Sequence, residues 1–298
     1  MRPELSEAIG LLRSNSPESV ERAIGLLQNT VYSFSMKVCG HREDAEDTMQ
    51  EVLYRSLQHL ARIEEPRALA VWLYTVTRNR CSRMRGNSAH RAKQVSLDEL
   101  MPDEAEVSRL LRDPAPGPES KLLQGEQRDL LRQAVLQIPP QLRIVLVLHD
   151  MEDLSTEDVA KILNLQPGTV RVRLHRARLS VRKEISRSLS SAARKEEQSE
   201  RPTRKLAPKG DHRPTTCREL FSNLSEYLDG RVEPRSCAEM RAHIDSCPAC
   251  VAFLRDLRSA IDRCRSLEVD CDPAILDRLR TTLTQEYLHL TSPGVSGK

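Results

Sequence analysis

In the first third of the chain, apolar residues recur three and four positions apart. Between Asp44 and Leu60, residues Ala45, Met49, Val52, Leu53, Leu57 and Leu60 form one stripe, while Glu46, Asp47, Gln50 and Glu51 fall on another face. The spacing predicts an amphipathic helix with one buried side and one polar, acidic side. Pro66 marks a break, and a second helix is predicted from about Ala68 to Met84. The helical period returns in residues 155–187. There Ser155 and Asp158 form a capping pair, and Val159, Ile162 and Leu163 an apolar face, with small Ala160 permitting close approach of a neighbour. Asn164 to Gly168 makes a turn, because Pro167-Gly168 ends a continuous helix. Thr169 can cap the next helix, in which Val170, Leu174, Ala177 and Val181 face inward. Arg171, Arg173, Arg176, Arg178 and Arg182 are left outside. No strand-like alternation of useful length occurs, so the fold class predicted is all-α.

Turn-forming and low-complexity stretches divide this helical pattern. Residues 96–119 are acidic and include Asp113-Pro114-Ala115-Pro116-Gly117-Pro118, which reads as a linker. Residues 190–215 are rich in Ser, Lys, Arg and Pro and read as a flexible tether. Three helical domains are therefore expected, over residues 1–95, 120–189 and 216–290. A chain of 298 residues has room for three, and an aromatic content of 3% favours small helical units over one large core.

Charge changes the picture through its distribution, since the net value is only +3. Arg78, Arg80, Arg83, Arg85, Arg91 and Lys93 form one acid-free island, and residues 166–187 form a second with the single acid Glu184. Two basic islands parted by an acidic linker suggest two contacts with a polyanion. The second island lies on the second helix of the helix-turn-helix, where guanidiniums can reach base edges and phosphates in a major groove. His175 in that helix reads as a surface or phosphate contact. No apolar stretch approaches a membrane span, and no signal-peptide pattern opens the chain, so the expected location is the cytoplasm, with no membrane partner.

Eight cysteines in a reducing compartment imply metal ligands or buried thiols. His243, Cys247 and Cys250 form an H-x3-C-x2-C group; with Cys217 they make a closed Cys3His set suited to structural zinc. Cys264 shares a stripe with Leu254, Leu257 and Ile261 and reads as a buried thiol, as do Cys39 and Cys81. Together Cys237, Cys264 and Cys271 leave open a second metal site or a redox pair. His212 is a substitute for Cys217 but falls in the tether.

At this point the sequence resembles the sigma-70 family, in its extracytoplasmic-function group. Asp44-Ala45-Glu46-Asp47-Thr48-Met49-Gln50-Glu51-Val52 and Trp72-Leu73-Tyr74-Thr75-Val76-Thr77-Arg78-Asn79 look like region 2. Ile138-Pro139-Pro140-Gln141-Leu142-Arg143 and the helix-turn-helix through Leu174-His175-Arg176-Ala177-Arg178 look like region 4. The resemblance implies that Glu46, Asp47, Gln50 and Glu51 dock on core RNA polymerase. It implies that Arg78, Asn79, Arg80, Arg83 and Arg85 meet the −10 element of promoter DNA, with Tyr74 a stacking candidate and Trp72 core. Thr169, Arg171, Arg173, Arg176 and Arg178 would read the −35 element. The acidic linker is either a soluble tether or a segment that threads the polymerase's RNA-exit path. Leu224-Ser225-Glu226-Tyr227-Leu228-Asp229-Gly230, between Cys217 and the His-Cys-Cys group, resembles the zinc-binding anti-sigma family, though Cys217 stands where that family often has His.

The expected function is promoter-specific transcription initiation, with no bond chemistry of the protein's own, tuned in cis by the zinc-binding tail. A metal- or redox-responsive tail is one alternative, and a DNA-binding regulator that never meets core polymerase is another. A zinc hydrolase needs an open coordination position and a general base, and the closed N/S set argues against it.

Overall fold

The computed structural model describes residues 2–60, 62–84, 96–102, 104–112, 124–196, 224–231, 234–269 and 271–291, and every described element is helical. The chain divides into two compact units, one of Met1–Lys93, Pro139–Val170 and Leu267–Lys298, the other of Gln94–Ile138 and Arg171–Ser266.

The first unit opens with α1 (Pro3–Ser14), α2 (Pro17–Cys39), α3 (Arg42–Leu60) and α4 (Pro66–Met84). Ser16 caps α2 by accepting from the Ser19 amide at 3.2 Å, with Pro17 in the first turn. At its other end Gly40 adopts φ 83°, which lets its amide reach the Met36 carbonyl at 2.9 Å. The predicted apolar stripe of α3 is buried, as are Leu27, Val31 and Phe34 of α2 and Leu69 and Leu73 of α4, and the three helices pack on one another. The break predicted at Pro66 separates α3 from α4, and Pro66 itself opens α4, two residues before the predicted start, because proline lacks only an N–H that the first turn leaves unpaired anyway.

Region 139–170 of the same unit holds α8 (Pro140–Leu146), a π-type turn over Val147–Met151, and α9 (Thr156–Leu163). Ser155 caps α9 as its sequence predicts, accepting from the Asp158 amide at 3.1 Å. Asn164 then takes φ 53° and ends the helix. The last element, α14 (Pro273–Thr291), packs on α2 and α3. Gln28 donates to the Leu276 carbonyl at 3.1 Å, and Arg42 pairs with Asp272 at 3.2 Å. Helix α14, within the 216–290 range, groups with the first unit.

The second unit contains α5 (Leu97–Leu100), α6 (Glu104–Arg112), α7 (Gln124–Gln137), most of α10 (Pro167–Glu196), α11 (Leu224–Leu228), α12 (Pro234–Ser246) and α13 (Pro248–Arg265). Phe253, Leu254, Leu257 and Ile261 of α13 cluster with Leu224, Met240 and Ile244, and with Leu179 of α10 and Leu100 of α5. Part of the acidic segment expected as a tether is therefore helical. Helix α6 packs along α13, because Val107 and Leu110 give it an apolar edge that the count of its acids concealed. The Pro-rich residues 113–118 and the 197–215 stretch of the tether lie outside the described residues.

Candidate nucleic-acid interface and metal centre

Helix α10 carries the second basic island. It begins at Pro167, two residues before the predicted cap Thr169, since Pro at a first helical position is favourable and Pro167-Gly168 need not end the turn. Val170, Leu174, Ala177 and Val181 are buried, as their spacing predicts. At the start of the helix Gly168, Thr169, Arg171 and Val172 are exposed, and Arg173 and Arg176 are half-buried.

Further along, the sequence expectation fails. Arg178 and Arg182, expected outside, have side chains only 1% exposed. The Arg178 guanidinium donates to both carboxylate oxygens of Asp229, at 2.8 and 3.1 Å, and to the Ser225 carbonyl at 3.3 Å. Arg182 pairs with Asp256 at 2.9 Å and Glu106 at 2.8 Å and lies 4.5 Å above the Phe253 ring. His175, expected at the surface, is buried and its Nδ1 is 2.9 Å from the Ser225 hydroxyl. Acids and an aromatic from the tail and linker thus face one turn-spaced stripe of α10. The hydrogen-bond partners in the tail lie 47 to 74 residues away in sequence, and the available signal was charge complementarity alone.

Burial lowers the His175 pKa to about 4, helped by the Arg178 and Arg176 charges. Its unfolded value is near 6.5, so between these values the unfolded chain binds more protons than the native one. The contribution to stability is complete above pH 6.5 and falls away as the pH drops toward 4, by on the order of 3 kcal/mol. We expect the melting temperature to fall over that window, and His175→Gln to flatten the slope; thermal melts at pH 4.5, 5.5 and 7 check this.

In the first unit, Asp47 and Gln50 of α3 are exposed, while Glu46 and Glu51 are half-buried and engaged. Glu46 pairs with Arg42 at 2.7 Å; Glu51 pairs with Arg55 at 3.0 Å and Arg80 of α4 at 2.7 Å. The structure therefore joins a residue of the expected polymerase set to one of the expected DNA set. Asn79 is exposed, and Arg78 is half-buried, with its pKa lowered by desolvation. The side chain of Arg83 and the whole of Arg85 lie outside the described residues. Tyr74 is corrected as a stacking candidate: it is 1% exposed and donates to Glu152 at 2.7 Å. Trp72, expected in the core, is half-buried beside His59, with ring centroids 5.1 Å apart.

The metal group forms where α12 meets α13. His243 sits in the last turn of α12, Cys247 caps α13, and Cys250 lies in the first turn of α13 after Pro248. Their donor atoms all fall within 4.8 Å of one another, and His243 Nε2 is 3.4 Å from Cys250 Sγ. Zinc–sulfur and zinc–nitrogen bonds of about 2.3 and 2.0 Å put tetrahedral neighbours about 3.3–3.9 Å apart, so this donor set fits zinc after a small contraction. Cys217, the expected fourth ligand, lies outside the described residues. Cys39, Cys81 and Cys264 are buried, as read from the sequence. Cys237 and Cys264 belong to the second unit and Cys271 to the first.

Comparison with known proteins follows these landmarks. The family model for sigma-70 region 2 matches residues 24–90, that for sigma-70 region 4 matches residues 128–189, and a zinc-finger family model matches residues 217–250. The chain is 29% identical to the Xanthomonas campestris protein named "Probable RNA polymerase sigma factor RfaY", over 58% of this chain and 42% of that protein. It is 24% identical to the ECF RNA polymerase sigma factor SigW of Bacillus subtilis, over 62% of this chain and 98% of that protein. It is 27% identical to the RNA polymerase sigma-H factor of Pseudomonas aeruginosa, over 58% of this chain and 91% of that protein. Two sigma-70 regions in order, a zinc-finger segment behind them and these relatives agree: the chain belongs to the sigma-70 family, as a sigma factor of the extracytoplasmic-function group with a C-terminal zinc-finger domain.

Proposed function

We propose that this protein binds core RNA polymerase, directs it to promoters, and is restrained by its own zinc-binding tail. Glu46, Asp47, Gln50 and Glu51 dock on the polymerase. Arg78, Asn79, Arg80, Arg83 and Arg85 meet the −10 element, and Thr169, Arg171, Arg173 and Arg176 read the −35 element. Polymerase supplies the chemistry, so the protein is not itself an enzyme, and it works in the cytoplasm. Among the described residues no helix is long and apolar enough to cross a membrane.

The observation that carries the regulatory reading is the pairing of Arg178 with Asp229 and of Arg182 with Asp256. An arginine that is both paired and buried, unlike the partly exposed Arg80, is shut off from a phosphate or a guanine edge. The tail, in this reading, is an inhibitor whose target helix is covalently attached, at high effective concentration. His243, Cys247 and Cys250, with Cys217, hold one structural zinc that fixes α12 against α13.

The test is promoter-dependent transcription with purified core polymerase, comparing the full chain with a truncation ending near Ser190. The truncation should be active and the full chain weaker. Arg171→Ala should lower −35-dependent initiation roughly 10-fold or more in either form, as loss of one base-edge contact costs about 1–3 kcal/mol. Failure of both forms on every genomic promoter would overturn the sigma reading.

A further inference from the structure

Helix α13 buries one side and leaves the other open. Phe253, Leu257, Ala260 and Cys264 recur at helical spacing on its buried side. Arg255, Arg258 and Asp262 project from the opposite side and are exposed. With residues of α11 and α12, that open side lines a groove of about 790 Å³. Its apolar surface comes from Tyr227 of α11, Ile244 of α12, and Val251 and Leu254 of α13. Its charge comes from Arg255, Arg258 and Arg263, set against Asp245 and Asp262.

The groove's cations are unspent. Asp262 is already engaged, by Arg265 at 3.5 Å. Among the described residues, Arg255, Arg258 and Arg263 have no carboxylate partner, and the Tyr227 hydroxyl has no hydrogen-bond partner. Arg178 and Arg182 of the same unit differ, since acids inside the protein already meet their charges.

Shape and chemistry together select the occupant. From Val251 to Ser266 the groove follows α13 for about 22 Å, at about 1.5 Å per residue. A small-molecule site closes around its ligand, whereas a trough of this length fits about four turns of a helical peptide. An apolar floor beside free guanidiniums calls for a helix with one apolar stripe and flanking acids. Nucleic acid suits the groove less well, because Asp245 and Asp262 share it with the arginines and repel phosphates.

We infer that this groove docks an acidic amphipathic helix of a partner protein. The partner's apolar stripe rests on Tyr227, Ile244, Val251 and Leu254, and its acids pair with Arg255, Arg258 and Arg263. Such docking needs neither polymerase nor promoter. Among the described residues none from α10 lines the groove, so the partner can reach the tail while Asp229 and Asp256 still hold Arg178 and Arg182.

The test pans the full-length protein with a display library of random peptides about 15 residues long, the length of four helical turns. Recovered peptides should be acidic, with apolar residues three and four positions apart. Arg255→Glu combined with Arg258→Glu should weaken a recovered peptide at least roughly tenfold at low salt, and Arg255→Lys with Arg258→Lys far less. The same peptide with its acids changed to lysines should bind the charge-reversed protein better than the parent, a rescue that damage to the fold cannot give. A library that yields no binder, recovered peptides without acidic bias, or a peptide indifferent to the reversal overturns the proposal. Displacement of the bound peptide by random-sequence duplex DNA overturns it too, by making the groove a nucleic-acid site. So does a dimer seen by light scattering in the parent and lost on charge reversal, which would seat a second copy of the chain there.

Discussion

Asp229→Asn in the full-length protein raises its affinity for −35 DNA roughly tenfold or more, and promoter-dependent transcription with it. The argument begins with what the substitution leaves behind. Arg178 is 1% exposed and its bidentate partner is Asp229, so the variant strands a guanidinium away from water. An uncompensated buried charge costs about 3–5 kcal/mol, and each 1.4 kcal/mol is tenfold in an equilibrium. The Ser225 carbonyl bond at 3.3 Å offsets only part of this. The chain recovers the loss by letting α10 part from α11, which returns Arg178 to solvent and to DNA. Asp229→Glu keeps the charge and should change affinity far less. Fluorescence anisotropy with a labelled −35 duplex, at one fixed salt concentration, reads the effect. If the Asn variant stays folded and binds no better, the Arg178–Asp229 pair is not the restraint.

Cys247→Ser removes close to one equivalent of zinc per chain and releases the same helix. The three described donors lie within 4.8 Å, at the junction that turns α12 into α13. Binding free energy at such a site is folding free energy, because the ligands come together only in the folded form. Both helices feed the apolar cluster around Phe253 and Leu257, and α13 also carries Asp256, the partner of Arg182. Loosening the junction therefore frees both buried arginines at once. Metal content by plasma mass spectrometry and transcription with core polymerase give independent readouts. Since Asp229→Asn and Cys247→Ser release the same helix, α10, the double variant should gain much less than the sum of the two. A zinc-free variant as weak in transcription as the parent would separate the metal from the regulation.

The helices of this protein were legible because their information is local. The stripes of α3 and α10 and the Ser155 cap depend on residues within a turn or two of one another. The H-x3-C-x2-C spacing is local as well, and the structure brings His243, Cys247 and Cys250 together. The misreadings share one cause. A sequence stripe of arginines looks the same whether it faces solvent or a buried acid. Arg178 meets Asp229 across 51 residues and Arg182 meets Asp256 across 74. Tyr74 was read as a stacking group because nothing within its own helix shows Glu152, 78 residues on.

The sequence by itself determined the helical character, the order of the two sigma-70 segments and the metal-ligand spacing. Each follows from short-range periodicity, capping or the preferences of thiolate and imidazole donors. Only the tertiary structure decided which charges are available. It buried Arg178, Arg182 and His175 against α11, α13 and the linker helix, set α14 on α2 and α3, and closed Glu152 among Lys37 and Tyr74, which donate to it, and Arg2, its ion-pair partner. Those pairings are long-range, and a charged side chain is tolerated in the interior only where its partner is already in place, so the partner's position, rather than the residue's own neighbourhood, settles its role.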